Sequence, residues 1–259
     1  MKLASRVAIV TGGGRGIGRA IALRFAAEGA AVAVAGTSRE PLEATAAEIA
    51  ASGGRALALI ADVANEPAVA RMVEATVRQY GRLDILVNNA GIAGPTATVL
   101  DMRPEDWERT LAINLTGAFL CAKHAIPHLV AAGEGRIINI TSVAGKIGYA
   151  LRSPYAASKW GLIGLTRSLA LELGERGVTA NAIAPGGTRG ERLDTVIRDR
   201  ATALGRTPAE VEREFFTGTT ALKRMVEPEE IAATALFLVS DEARNITGET
   251  IAVSAGFRL

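Results

Sequence analysis

The chain has 259 residues, of which 49% are hydrophobic and 22% charged, and its 29 basic and 27 acidic side chains leave a formal net charge of +2. This composition is typical of a globular protein with an ample core, which excludes intrinsic disorder, and the near-neutral charge provides no field for holding nucleic acid. No stretch is long and apolar enough to span a bilayer or to act as a secretory signal, so we expect a cytoplasmic protein without a membrane partner.

Seven short aliphatic runs are predicted to form strands of a buried parallel sheet, because each run is apolar on both faces. They span Arg6–Thr11, Ala30–Ala35, Arg55–Ala61, Leu83–Val87, Arg136–Thr141, Thr179–Ala184 and Glu249–Val253. Stretches with a helical period of apolar residues lie between them. The alternation predicts an α/β fold: a single doubly wound Rossmann-type domain over residues 1–259, with a seven-stranded parallel sheet and helices on both faces.

A glycine-rich turn follows the first strand and opens a helix, with the sequence Thr11-Gly12-Gly13-Gly14-Arg15-Gly16-Ile17-Gly18. Glycines allow backbone N–H groups to approach a pyrophosphate, and the N-terminus of the helix adds a favourable dipole. Such turns also occur simply to pack a helix on a strand, but the order of strand, turn and helix favours nucleotide binding. The expected contacts are Gly12, Gly14, Arg15, Gly16, Ile17 and Gly18.

A serine, a tyrosine and a lysine follow the fifth strand in a pattern that suggests acid/base chemistry. Ser142 closes the strand, and Tyr155 and Lys159 share one face of the next helix at i and i+4. A phenol with a pKa of about 10 is a poor acid or base at neutral pH, whereas a nearby ammonium group lowers that pKa. Tyr-x-x-x-Lys pairs are common on exposed helices, but the position after Ser142 favours Tyr155 as a general acid/base.

Together these pieces resemble the short-chain dehydrogenase/reductase superfamily, in its one-domain subgroup. The matching motifs lie between residues 6 and 187, with a weaker match over 224–256. They are Thr11-Gly12-x-x-x-Gly16-x-Gly18, Asp62-Val63, Asn88-Asn89-Ala90-Gly91, Asn114, Ser142, Tyr155-x-x-x-Lys159 and Asn181-x-x-x-Pro185-Gly186. Near the C-terminus the chain departs from the family pattern, with Val253-Ser254-Ala255-Gly256 in place of Val-Asp-Gly-Gly.

The resemblance implies hydride transfer between a nicotinamide cofactor and a small carbonyl or secondary alcohol substrate. Tyr155 would exchange a proton with the substrate oxygen, Ser142 would position that oxygen, and Lys159 would lower the pKa of the tyrosine and hold the nicotinamide ribose. Asn114 would distort its helix and hold a water in the proton relay. The remaining implied cofactor contacts are Asp62 and Val63 at the adenine, Asn89, Ala90 and Gly91 along the cofactor, and Pro185 and Gly186.

The segment after the second strand bears on the choice of cofactor. An NAD-preferring site usually has a carboxylate there, which would repel a 2′-phosphate. Here Gly36 is followed by Thr37, Ser38 and Arg39, and Arg15 lies in the glycine turn. Two cations and two hydroxyls without a nearby acid suit a phosphate, so the sequence predicts a preference for NADP(H), with NAD(H) and two merely exposed arginines as the alternative.

Residues 188–222 are predicted to form a small helical substrate lid. Two polar helical stretches, Glu191–Leu204 and Pro208–Phe216, lie there without a strand between them, and insertions of this length are usually functional. Arg152, Arg189 and Arg192 would surround the substrate mouth near Gly187. That arrangement would favour a substrate with an acid group, such as a sugar acid, unless these arginines are solvated or paired with Glu191 and Asp194.

Other functions are less well supported by the sequence. Cys121, His124 and His128 share one helix face, but no further cysteine or histidine exists and no metal is expected. A catalytically silent nucleotide-sensing regulator of the same fold, or an NAD-dependent hydroxy-acid or sugar-acid dehydrogenase, remains an alternative. The resemblance also implies a homotetramer, built through helices near residues 104–131 and 153–176 and through the C-terminal strand.

Overall fold

The computed structural model describes residues 1–257, in which seven parallel strands form one sheet in the order β3-β2-β1-β4-β5-β6-β7. The strands are β1 Val7–Thr11, β2 Ala31–Gly36, β3 Arg55–Ile60, β4 Ile85–Asn88, β5 Arg136–Ile140, β6 Thr179–Pro185 and β7 Thr250–Val253. The predicted α/β fold with a seven-stranded parallel sheet is confirmed. Strand order reverses between β1 and β4, and in such sheets ligands bind at the carboxyl ends of the strands at that reversal.

Helices cover both faces of the sheet because side chains alternate along each strand. The described helices are α1 Gly16–Ala27, α2 Arg39–Ala51, α3 Glu66–Tyr80, α4 Pro104–Leu111, α5 Gly117–Ala131, α6 Ser153–Leu173, α7 Glu191–Leu204, α8 Pro208–Glu212 and α9 Pro228–Val239. Ala8 and Val10 of β1 pack on the side of α1 and α9, whereas Val7 and Ile9 pack on the side of α3, α5 and α6. The result is two apolar layers, one on each side of the sheet.

The expectation that every strand is buried on both faces is wrong at the edges of the sheet. All five residues of the central strand β1 are buried, but β3 and β7 are only partly covered, and Ile60 at the end of β3 is 49% exposed. Each of these strands pairs with one neighbour only. An edge strand can be as apolar in sequence as a central one, so its exposure depends on its place in the sheet.

A π-helical turn, Ala112–Thr116, joins α4 to α5 and contains the buried Asn114. Single π turns inside helices widen the backbone and occur frequently at functional sites. The distortion expected at Asn114 is therefore present.

The insertion, residues 188–222, lies between β6 and α9. Its helix α7 has the predicted bounds, while the second stretch divides into α8 and a π-helical turn, Arg213–Thr217. Ile197, Ala201, Val211, Phe216 and Met225 form a separate apolar cluster that holds it together. A Cβ atom on Gly187 would lie 3.0 Å from the Phe216 ring, and one on Gly186 would lie 2.9 Å from Ser254. Both glycines therefore allow close packing after β6.

Within residues 1–257, no helix is long and apolar enough to cross a membrane.

The buried carboxylate of Asp84 joins the first and fourth strands at the amino end of the sheet. Its Oδ2 accepts hydrogen bonds from the N–H of Val7 at 2.8 Å and from Nε of Arg82 at 2.9 Å. Nη1 of Arg6 lies 3.6 Å from the other carboxylate oxygen, Oδ1. A buried carboxylate with these partners fixes the register of the two strands that border the reversal point.

We expect Asp84→Asn to lower the free energy of unfolding by about 1.5–3 kcal/mol, because hydrogen bonds to a charged acceptor contribute that much. Urea denaturation followed by circular dichroism measures the change, and Glu175→Gln, at an exposed residue, is the control. A loss no larger than that of the control would show that the carboxylate does not join the strands.

Candidate active site

The residues that follow β1 and β4 are joined by hydrogen bonds centred on Thr11. Its hydroxyl donates to the carbonyl of Val87 at 3.2 Å and accepts from the N–H groups of Asn89 at 3.0 Å and Ala90 at 3.1 Å. The Asn89 amide donates in return to the carbonyls of Thr11 at 2.9 Å and Gly12 at 3.2 Å. The shape of the glycine turn is thus fixed from the neighbouring strand.

Three glycines of the turn are required for two different reasons. Cβ atoms on Gly12 and Gly18 would lie 2.8 Å and 2.4 Å from Nδ2 of Asn89, so these positions leave no space for a side chain. Gly16 has open space around it but a φ of +50°, in the left-handed region that glycine adopts most readily. Any larger residue at Gly12 or Gly18 would displace Asn89.

Helix α1 begins in this turn with a free N-terminus. Arg15 precedes it without a capping side-chain hydrogen bond, and its first turn contains no acidic residue. Gly14 packs against Pro41, and Ile17 is half-buried in the apolar layer. The first N–H groups of a helix need a hydrogen-bond acceptor. An uncapped N-terminus at a glycine-rich turn therefore fits the pyrophosphate of a dinucleotide.

The region after β2 is polar, but it contains acids that were not expected. Arg39 Nη1 lies 3.1 Å from Oε1 of Glu43, one helical turn along α2, and Arg15 Nη1 lies 3.7 Å from Oε2 of Glu191 in the insertion. The expectation that no acid lies near these arginines is therefore wrong, because α2 and α7 bring the glutamates in. The hydroxyl-bearing residues Thr37 and Ser38 are exposed.

The segment that follows β3 places one exposed and one buried residue at the carboxyl end of the sheet. Asp62 is exposed, and its carboxylate accepts a hydrogen bond from the N–H of Ala64 at 2.9 Å. Val63 is buried so closely beneath α5 that a Cβ atom on Gly117 would lie 2.7 Å from it. Val63 thus forms an apolar wall beside the polar Asp62.

The side chain of Asn114 connects the loop after β4 to α6. Its Oδ1 accepts from the N–H of Ile92 at 2.8 Å, and its Nδ2 donates to the carbonyl of Ile92 at 2.9 Å and to Oγ of Ser158 at 3.1 Å. The Ser158 hydroxyl donates to the carbonyl of Tyr155 at 2.7 Å. A Cβ atom on Gly91 would lie 3.0 Å from Oδ1 of Asn114, so the loop must be glycine where it passes this side chain.

Lys159 is buried beside Tyr155 and held in place by main-chain groups. Its Nζ donates to the carbonyl of Ile140 at 2.8 Å and lies 5.7 Å from the centre of the Tyr155 ring. Its own carbonyl accepts from the Thr141 hydroxyl at 2.8 Å. Burial, together with the positive charge of Arg192, lowers the pKa of Lys159 to about 7.

The pKa of Tyr155 is raised, which differs from the expectation. Burial raises it, and the opposing influences are a hydrogen bond with Ser142 and the positive charges of Arg192 and Arg152. Lys159 is not among the groups that lower the pKa of Tyr155, because burial disfavours the positive charge of the lysine as well. Among the groups that lower the pKa of Tyr155, the hydrogen bond with Ser142 has the largest effect.

A buried arginine that the sequence did not single out joins the insertion to the loop before Tyr155. Arg200 of α7 lies between two aromatic rings, 3.9 Å from the centre of Phe215 and 5.5 Å from that of Tyr149. Tyr149 in turn contacts Tyr155 edge to face, with ring centres 6.4 Å apart. Cation–π contacts of this kind stabilise a guanidinium without a carboxylate.

A cavity of about 470 Å³ lies between the insertion and the loop after β4. Two of the predicted substrate residues, Arg152 and Arg192, line it, and so does Arg109, which sequence reasoning missed. Arg189 is not in the lining, since its Nε lies 3.3 Å from Oε1 of Glu227. The full lining is Ile92, Ala93, Gly94, Pro95, Asp106, Arg109, Thr110, Arg152, Arg192, Thr195, Val196 and Asp199.

Cys121 of α5 is buried, and His124 of the same helix contacts an acidic side chain. Burial raises the pKa of the Cys121 thiol to about 12, and Nε2 of His124 lies 3.2 Å from the Glu66 carboxylate. Among residues 1–257 no three metal-ligating side chains form a cluster that could hold a metal ion.

Comparison with known proteins identifies relatives along nearly the whole chain. The family model described as enoyl-(acyl carrier protein) reductase matches residues 12–258. A 3-oxoacyl-[acyl-carrier-protein] reductase from Synechocystis sp. is 43% identical over 256 residues, which cover 98% of this chain and 97% of the relative.

Solved structures agree with this result. NAD⁺-bound xylitol dehydrogenase superposes with a TM-score of 0.95 at 34% identity, covering 99% of this chain and 100% of the other. A variant of actinorhodin polyketide ketoreductase with NADPH superposes with a TM-score of 0.93 at 34% identity, covering 98% and 97%. The first of these structures is bound to NAD⁺, and the second contains NADPH.

We expect the phenol of Tyr155 to ionise above the ordinary value of about 10, and Ser142→Ala to raise its pKa further, because the variant loses a hydrogen bond to the phenolate. The chain has three tyrosines, so Tyr80→Phe with Tyr149→Phe leaves Tyr155 as the single titrating phenol. Tyrosinate absorbance as a function of pH gives the midpoint. A midpoint below the ordinary value, or one unchanged by Ser142→Ala, would contradict the assigned causes.

Proposed function

The chain belongs to the short-chain dehydrogenase/reductase superfamily, and we propose that it transfers a hydride between NADP(H) and a carbonyl or secondary alcohol, with Tyr155 as general acid/base. The observation that carries the proposal is the convergence of Ser142, Tyr155, Lys159 and Asn114 at the carboxyl end of the sheet, beside the glycine turn. The relatives support it, since their names describe reductases and dehydrogenases of keto and hydroxy compounds.

Each of these side chains has a distinct role in the proposal. The nicotinamide supplies or accepts the hydride when bound. In reduction, Tyr155 donates its proton to the substrate oxygen, and Ser142 hydrogen-bonds the same oxygen and stabilises the phenolate that forms. Lys159 would hold the ribose hydroxyls of the bound cofactor and return a proton to the tyrosine, for which a pKa of about 7 is well suited. Asn114 holds α6 in place through Ser158.

Tyr155→Phe should fold and bind cofactor but lose activity by about 10²- to 10⁴-fold, because proton transfer contributes that much to the rate. Steady-state kinetics over a panel of ketones and alcohols measures the loss. Tyr80→Phe, on the end of α3, is the matched control and should retain full activity. If Tyr155→Phe keeps more than about a tenth of wild-type activity, the tyrosine has no part in proton transfer.

The preference for NADP(H) rests on exposed groups that follow β1 and β2. Arg15 and Arg39 form exposed ion pairs with Glu191 and Glu43, and exposed pairs of this type contribute only about 0–1 kcal/mol. A 2′-phosphate offers stronger charge-assisted hydrogen bonds, so it would draw both guanidinium groups away from the glutamates.

Gly36→Asp should shift the preference toward NAD(H) by about tenfold or more in kcat/KM, a difference of about 1.4 kcal/mol, because the new carboxylate would repel a 2′-phosphate. The nearest atom to a Cβ at this position lies 3.7 Å away, so the substitution fits. Gly36→Asn has nearly the same size without the charge and should leave the preference unchanged. A wild-type enzyme that prefers NAD(H) tenfold would refute the assignment of the cofactor.

We also propose a homotetramer, because α4, α5 and α6 expose large apolar side chains. Trp107, Phe119 and Trp160 are between 37% and 53% exposed, and Leu171 is 85% exposed. Large exposed apolar surfaces mark interaction sites, so we place the contacts between chains on these three helices. Light scattering at micromolar concentration should give the mass of four chains, and a mass of one 26.9 kDa chain would rule the assembly out.

A further inference from the structure

The cavity beside the proposed catalytic residues has walls from four parts of the chain. The loop after β4 supplies Ile92–Pro95, α4 supplies Arg109, α7 supplies Arg192, and Arg152 stands immediately before α6. Tyr155, in the first turn of α6, follows Arg152 by three residues. Ser142, Tyr155 and Lys159 do not line the cavity, but Ile92 of its lining is hydrogen-bonded to Asn114, so the cavity borders the candidate site. Its volume of about 470 Å³ is that of a small-molecule site.

The charged groups of the cavity leave an excess of positive charge. Its lining contains three arginines and two aspartates. Asp106 is paired with Arg103, whose Nε lies 2.8 Å from its carboxylate, and it also feels the positive charge of Arg109. Arg109 and Arg192 are exposed, and neither has an ion-pair partner among residues 1–257.

Arg152 adds a buried cation whose hydrogen bonds are incomplete. The residue is 3% exposed, and its Nη1 donates to the carbonyls of Ala93 at 3.2 Å and Gly94 at 2.9 Å. Its Nη2 is buried without a hydrogen-bond acceptor, and the nearest carboxylate, that of Asp199 in the insertion, lies 3.9 Å away. A buried N–H group without an acceptor is costly, and an anion in the cavity would offset that cost.

We propose that this cavity binds the carboxylate of the substrate, so that the protein acts on small hydroxy or keto acids. The guanidinium groups of Arg109 on α4 and Arg192 on α7 donate hydrogen bonds to the carboxylate, and the buried Arg152 adds a third positive charge. Because Tyr155 lies outside the lining, the carboxylate and the reacting carbonyl are separated along the substrate, and oxo acids of different spacing test that separation. The proposal deepens the oxidoreductase function and rests on it for the identity of the reacting group.

The test compares matched acids and esters in matched variants. The substrates are 2-, 3- and 4-oxo acids of four to six carbons and their methyl esters, assayed with NADPH in the wild type, Arg192→Gln and Arg109→Gln. Arg213→Gln is the control, since Arg213 is an exposed arginine of the insertion outside the cavity. Arg152 is not substituted because its bonds to the loop are structural. Calorimetric titration with pentanoate and pentanamide measures anion binding without turnover.

We expect at least one acid to exceed its ester in kcat/KM by about tenfold or more, and each glutamine variant at the cavity to lose about 10- to 100-fold on the acid alone. Pentanoate should bind more tightly than pentanamide, and only in chains with both cavity arginines. If no ketone is reduced but pentanoate binding depends on Arg192, the oxidoreductase function fails and the anion site stands. Equal behaviour of acids and neutral analogues, or no effect of the cavity variants, would overturn the proposal.

Discussion

The side chain of Asn114 holds together the two segments on which the site depends. Its amide bonds both main-chain groups of Ile92 and, through Ser158, the carbonyl of Tyr155. The loop that begins at Ile92 lines the cavity, and the helix that contains Tyr155 provides the proposed acid. The π-helical turn places this asparagine between them. Buried polar groups that are satisfied in this way fix one arrangement, because any shift leaves them unpaired.

Buried positive charge is the second feature that organises the site. Lys159, Arg152 and Arg200 are all at least nine-tenths buried, and none of them has a carboxylate in hydrogen-bond contact. Main-chain carbonyls hold Lys159 and Arg152, and aromatic rings hold Arg200. Charges act more strongly where water is excluded, so the buried positive charge of Arg152 favours an anionic ligand in the cavity that it lines.

The sequence predicted the features that depend on local pattern, and missed those that depend on distant contacts. The apolar runs predicted the buried strands, and the cluster of glycines predicted the turn. The predicted bounds of α7 were also correct. The partners of Arg15 and Arg189 lie far from them along the chain, so these ion pairs could not be read from spacing, whereas the i,i+4 spacing of Arg39 and Glu43 on α2 does allow their pair to be predicted. Arg109 and Arg200 resemble ordinary surface cations in sequence, and only the packing of the insertion brings them to the site.

Transfer of deuterium from the cofactor tests the central claim most directly. The protein would be incubated in ordinary water with NADPH deuterated at C4 of the nicotinamide and a panel of ketones, and each alcohol product examined by mass spectrometry and NMR. Direct hydride transfer at the site around Tyr155 predicts one deuterium on the carbinol carbon. An alcohol product that carries hydrogen from the solvent at that carbon would contradict the account.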